Sequence, residues 1–160
     1  MKIIADSSPL ISLAILDQLE LLSLLFSELY VPEAVFSEIS RPGKPHSVGL
    51  RAFAENKIKV VNNRMAVKLL NKDVDLGEAE VIALALEQGV EDVLIDDAKG
   101  RKLAQANGLH PIGTIGVLLQ AKVAGHMTEV KPCLDKLLVH EIRIGRSLYD
   151  RALVLAGEEK

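Results

Sequence analysis

Short apolar runs that end on a carboxylate constrain this chain more than any other feature. Lys2 to Ala5 runs straight into Asp6, and the segment DVLIDD ends on Asp96 and Asp97. Runs this short, without polar alternation, read as strands buried on both faces. Helical patterns separate them. Ser8-Pro9 offers an N-cap and a first-turn proline. After it, LISLAILDQLELLSLLF reads as two short helices meeting near Asp17. ELYVP is a second strand, and Pro32 starts the helix PEAVFSEI. RPGKPH is a loop, Leu50 to Lys57 a helix, IKVV a third strand, and Arg64 to Lys72 a short basic helix. LGEAEVIALALEQG is a strong helix closed by Gly89, and KGRKLAQANG is a helix stopped by Gly108. HPIGT leads into IGVLLQAKVAG. Helices near Lys131 to Val139 and Ser147 to Ala156 follow, with EIRI between them as a candidate edge strand.

Strands alternating with helices predict a three-layer α/β/α domain around a short, mostly parallel sheet. With 160 residues and no linker or low-complexity stretch, one domain over 1–160 is expected. Functional groups in such sheets collect beyond the carboxyl ends of the strands. The acids at those ends are therefore the candidates.

Asp6 is either a helix N-cap or a functional group, and Ser7 and Ser8 are available as alternative caps. Asp96 and Asp97 repel each other unless a cation, a helix N-terminus or separation relieves them. One could cap the helix at Ala98 while the other is solvated, or they could ligate a metal. Glu78 and Glu80 lie in a helix first turn, where acids complement the dipole. Glu78 shares a face with Ile82 and Ala85 and should point inward, whereas Glu80 points elsewhere. Glu38 shares a face with Ala34 and Val35. Four acidic stations at comparable element ends suggest a carboxylate cage, which suits Mg²⁺ or Mn²⁺. Zinc lacks its ligands: His46, His110, His126 and His140 are scattered and read as surface residues, mostly in loops. The single Cys133 reads as a buried or half-buried thiol and excludes an intrachain disulfide.

The formal charge of −3 supplies no basic field for tight nonspecific nucleic-acid binding, and 3% aromatic residues argue against an aromatic stacking platform. Local engagement of nucleic acid through metal stays open. No signal-peptide core or membrane-spanning run appears, so a cytoplasmic protein is expected.

Four ordered motifs resemble the PIN domain, a metal-dependent nuclease fold. They are the segment 4–11, where Ser7, Ser8 and Pro9 follow Asp6, then VPEAVFSEI, GEAEVIALALEQG and VLIDDAKGRKLA. The likeness runs from Ile3 to about Gly125, with a helical extension over about 127–160. The segment 6–14, GEAEVIALA, LIDDAKGR, GTIGVLLQAK and SLYDRALVLAGE together resemble an uncharacterised prokaryotic branch, similar to VapC-type toxin ribonucleases. Glu78 stands where the family usually has Asp, and Ser8 where many PIN toxins carry Asn. The fourth acid is Asp97 by spacing, with Asp96 the alternative.

The resemblance implies an RNA-cleaving enzyme, often the toxin of a toxin–antitoxin pair, commonly a homodimer restrained by a small antitoxin. Asp6 and Asp97 would hold Mg²⁺ or Mn²⁺, with Glu38 and Glu78 completing the site. Thr114 either caps its helix or receives a phosphate with its hydroxyl and the helix amides, and Ser8 is a further candidate for substrate binding. Lys99, Arg101 and Lys102 form either a solvated face or a contact to the RNA backbone. A degenerate PIN-like binding module is the alternative. An aspartate-nucleophile phosphohydrolase would need a second Asp at position 8, where Ser8 stands. The apolar helices around Leu19 to Phe26 carry more hydrophobic positions than one buried face needs, which predicts a dimer contact unless they are doubly buried.

Overall fold

Ile3 pairs with Leu29 on one side and with Asp92 on the other, which puts the first strand at the centre of the sheet. The computed structural model describes residues 1–159. Its strands are β1 (Lys2–Ala5), β2 (Glu28–Pro32), β3 (Ile58–Lys59), β4 (Asp92–Leu94) and β5 (His110–Ile112). They form one all-parallel sheet in the order β3–β2–β1–β4–β5. Ile3, Ile4 and Ala5 are completely buried, as a central strand covered on both faces requires.

Helices cover both faces: α1 (Ser7–Ile15), α2 (Glu20–Leu25), α3 (Glu33–Ile39), α4 (Ser47–Ala54), α5 (Arg64–Leu70), α6 (Leu76–Gln88), α7 (Ala98–Ala106), α8 (Thr114–Val123), α9 (Lys131–Val139) and α10 (Arg146–Ala156). The result is a three-layer α/β/α fold. α6 packs on β1, β2 and β4, and every residue from Gly77 to Ala85 is buried. A helix enclosed on all sides shows little amphipathic periodicity. Its ends follow the sequence: Asp75 and Glu78 form a capping box, and Gly89 closes it with φ +66°. The C-terminal helices dock on the rest. Glu158 accepts from the amides of Val130 and Lys131 and pairs with Lys122 at 2.9 Å.

Several local expectations are corrected. α1 starts at Ser7, so Asp6 rather than Ser8 occupies the N-cap position. The Leu50–Lys57 helix is displaced to Ser47–Ala54, and IKVV pairs only through Ile58 and Lys59. His110 and Pro111 are not in a loop but open β5. Pro is tolerated there because β5 is an edge strand and needs ladder donors on one side only. All four histidines are exposed. EIRI is not a strand: Ile142 and Ile144 pack on the core while Glu141 and Arg143 face out, so its alternation is met without a ladder. The two helices break at Asp17, which has φ +56°. Leu21, Leu22 and Phe26 are buried within the chain and Leu24 is exposed. The apolar surplus there is absorbed by packing.

Candidate active site

The strand order places a topological switch point between β1 and β4, where successive crossovers run in opposite directions. Asp6 leaves β1 at that point, and its amide donates to Leu94 O at 2.9 Å. Asp96 and Asp97 stand two and three residues beyond the end of β4. The register Ala5↔Leu94 thus delivers all three acids to one edge of the sheet.

Asp6 is 6% exposed, and its side chain makes no cap hydrogen bond to α1. Burial drives its pKa from 3.8 to about 7. The Ser7 backbone amide opposes that rise, while the charges of Asp75, Glu38 and Asp96 add to it. Ser7 Oγ beside it is buried without a hydrogen-bond partner among the described residues. A carboxyl raised by burial and an unpartnered hydroxyl thus stand side by side at the end of β1.

Glu78 enters from the first turn of α6 and is 4% exposed. Its pKa rises from 4.5 to about 8, first through burial and then through Asp75, Asp6 and Asp97, against a hydrogen bond from the Asp75 amide. Glycines make room for these acids. A Cβ on Gly77 would lie 3.3 Å from Asp6 Oδ1, one on Gly100 2.8 Å from Glu78 Oε1, and one on Gly113 2.9 Å from Asp96 Oδ1.

Asp97 caps α7 by accepting from Gly100 N at 3.0 Å. Asp96 is not simply solvated: it accepts from Thr114 N at 2.7 Å and from Thr114 Oγ1 at 2.6 Å, tying β4 to the start of α8. Thr114 is buried, and both its donors are engaged by Asp96. Arg101 donates from one guanidinium nitrogen to Ile95 O at 3.0 Å. Lys99 and Lys102 are exposed, and together with Arg101 they line a groove that begins at Asp96. Ser8 is exposed and lines a cavity with Asp96 and Asp97.

Glu38, half-buried on α3, lines a second groove with Asp75, Arg41 and Lys44. Nothing in the sequence singles out Asp75, Arg41 or Lys44. The D-x-x-E spacing of Asp75 and Glu78 signals a capping box and so points away from a site role. Glu80 corrects a further expectation. It is as buried as Glu78 but is structural, accepting from Ala34 N at 3.0 Å and pairing with Arg64 at 3.0 Å.

The sheet edge thus gathers Asp6, Glu38, Asp75, Glu78, Asp96 and Asp97, and mutual charge couples them. A model of the PIN-domain family matches residues 2–158. The chain belongs to the PIN-domain family. No curated protein matches it, and no solved structure does. PIN domains are nuclease-type folds that typically use divalent metals. In this PIN domain the donors are all oxygens, with buried Asp6 and Glu78 raised by the charges of their neighbours, which fits a hard divalent cation in chemistry. Among the described residues, no three acidic, His or Cys side chains are already gathered tightly enough to hold one. Asp96 and Asp97 are turned to their caps, and Glu78 to Asp75.

Proposed function

We propose that this PIN domain is a divalent-metal-dependent endoribonuclease. The observation that carries the proposal is Asp6: a buried carboxyl at the switch point, uncapped, with other acids raising its pKa. Such a group costs stability unless a cation relieves it. Burial and like charges together are the mark of a functional site.

Asp6 and Asp97 would hold Mg²⁺ or Mn²⁺, with Glu38 and Glu78 completing the site and Asp96 the alternative to Asp97. A divalent ion there neutralises charge on a phosphodiester and lowers the pKa of a water. Glu78 Oε1, the oxygen not bonded to the Asp75 amide, would take a proton once a bound cation offsets the neighbouring charges that raise the group to about 8. Arg41 and Lys44 on one side, and Lys99 and Lys102 on the other, offer cations to the RNA backbone. Arg101 holds the end of β4 and places its remaining donors beside Asp96. Thr114, engaged by Asp96, orients that carboxylate, and Ser8 faces the substrate.

The toxin role, the small antitoxin, the homodimer and the cytoplasmic setting are part of the same proposal and rest on the PIN resemblance. A neighbouring small open reading frame whose product binds this chain, together with a dimeric mass in solution, would support them. A monomer at micromolar concentration would count against the dimer.

The alternative is a binding module without catalysis. It is favoured by the capping roles of Asp96 and Asp97, which leave no preformed cage among the described residues. Single-stranded RNA incubated with Mg²⁺, Mn²⁺ or chelator separates the two. Metal-dependent cleavage that Asp6→Asn abolishes supports the nuclease. Metal-independent behaviour in both proteins supports the module.

A further inference from the structure

A cavity of about 460 Å³ lies beside the acids and extends to residues that the proposed chemistry leaves unused. Asp96 and Asp97 line it. The strap joining α9 to α10 contributes Ile142, Arg143 and Ile144 to the same lining as Ile11 and Ile115. We propose that this cavity is a nucleobase subsite, seating a base of the RNA strand next to the phosphate at the acids.

Size, wall chemistry and one free cation carry the assignment. The volume lies in the range of small-molecule pockets. Ile11, Ile115, Ile142 and Ile144 present aliphatic surface to a flat apolar ring. Arg143 is exposed, lines the same cavity and has no salt bridge or side-chain hydrogen bond among the described residues. Unpaired RNA bases stack on aromatic rings or on arginine guanidinium planes. No Trp, Tyr or Phe lines this cavity among the described residues, so the guanidinium is the available stacking surface. The period-two pattern of the strap explains the arrangement: Ile142 and Ile144 anchor on the core while Arg143 between them stays free. A base rather than another flat ligand is chosen because Asp96 and Asp97 share the cavity lining, and this choice rests on the nuclease proposal. Arg143 is thus a base-stacking contact, outside the group of acids that would hold metal.

The test uses the full chain without metal, labelled at isoleucine methyls. Adenosine, guanosine, cytidine and uridine are titrated separately, with ribose as the base-free control. Ring currents should shift the methyls of Ile11, Ile115, Ile142 and Ile144 with at least one nucleoside, saturably. Ile39 and Ile58, which do not line the cavity, should stay still. Ribose should leave all of them unmoved. Arg143→Ala should weaken the response about fivefold, the equivalent of ~1 kcal/mol for a lost cation–π contact, with an unchanged melting temperature. Equal shifts with ribose, shifts confined to other isoleucines, no shift with any nucleoside, or an unaffected Arg143→Ala would overturn the subsite. RNA cleavage is assayed in parallel. Base binding without metal-dependent cleavage would defeat the nuclease proposal and leave the subsite standing. Cleavage that is indifferent to an abasic position beside the scissile bond, without methyl shifts, would do the reverse.

Discussion

Glu78 sits directly against Gly100: a Cβ at position 100 would stand 2.8 Å from Glu78 Oε1 and 3.0 Å from Ile95 Cγ2. A helical glycine normally costs about 1 kcal/mol against alanine. Here it keeps space for a buried carboxylate between α6 and α7. Gly100→Ala should therefore gain helix propensity and lose it again to crowding, leaving stability within about 1 kcal/mol of wild type. Cleavage should fall by about tenfold to a hundredfold, because small displacements of catalytic groups are expensive. Melting curves and single-turnover rates check both halves. An unchanged rate would mean that the position of Glu78 is not critical.

Metal-free stability should depend on pH with a definite sign. Asp6 is raised from 3.8 to about 7 and Glu78 from 4.5 to about 8. The folded chain therefore keeps protons that the unfolded chain loses near pH 4. The stabilising contribution is complete below those unfolded values and is lost as pH rises through about 7 and 8. Denaturant titrations in chelator should show a more stable protein at about pH 6 than at about pH 8.5. Asp6→Asn should flatten that dependence. Stability that climbs over the same window would contradict the raised values.

Two buried glutamates two residues apart on α6 should behave oppositely. Glu80→Ala strips Ala34 N and Arg64 of their partner and should cost about 1–3 kcal/mol, or roughly 2–4 °C per kcal/mol in a domain of this size. It should keep any response to metal. Glu78→Gln removes one charge from a self-repelling group and should hold or raise metal-free stability while losing that response. Thermal melts with and without Mn²⁺ on the two variants check the contrast.

Asp97→Asn separates capping from ligation. Asn caps a helix about as well as Asp, so α7 should stay anchored at Gly100 and the metal-free melting temperature should barely move. Stabilisation by Mn²⁺ should shrink sharply. If Asp96 is the ligand instead, Asp96→Asn will lose the response and Asp97→Asn will retain it.

The acids at strand ends are legible in the sequence because a charge can follow a buried apolar run only where the chain leaves the sheet. Asp6, Asp96 and Asp97 are placed that way, and the helical period turns Glu78 inward. The period fails for Glu80, because it assumes that a helix has a wet face and α6 has none from Gly77 to Ala85. Asp75 is hidden by its own chemistry, since a residue in a capping box reads as structural even when its charge also acts on Asp6 and Glu78. β5 is three residues long and contains Pro111, too short for any period to register. Ile142 and Ile144 alternate as a strand would, yet which surface receives them is decided by tertiary packing and not by spacing.

The most direct test is the melting temperature of wild type and Asp6→Asn, each with and without Mn²⁺. If Asp6 holds the metal, ion at about a hundredfold excess over its dissociation constant stabilises the wild type by about 2.7 kcal/mol, or roughly 5–10 °C. Asp6→Asn should start at or above the metal-free wild type and respond much less. If Asp6 were only the residue that precedes α1, Asn would serve as well and Mn²⁺ would move both proteins alike. Equal shifts in the two would contradict the central claim that Asp6 anchors a metal-dependent nuclease site.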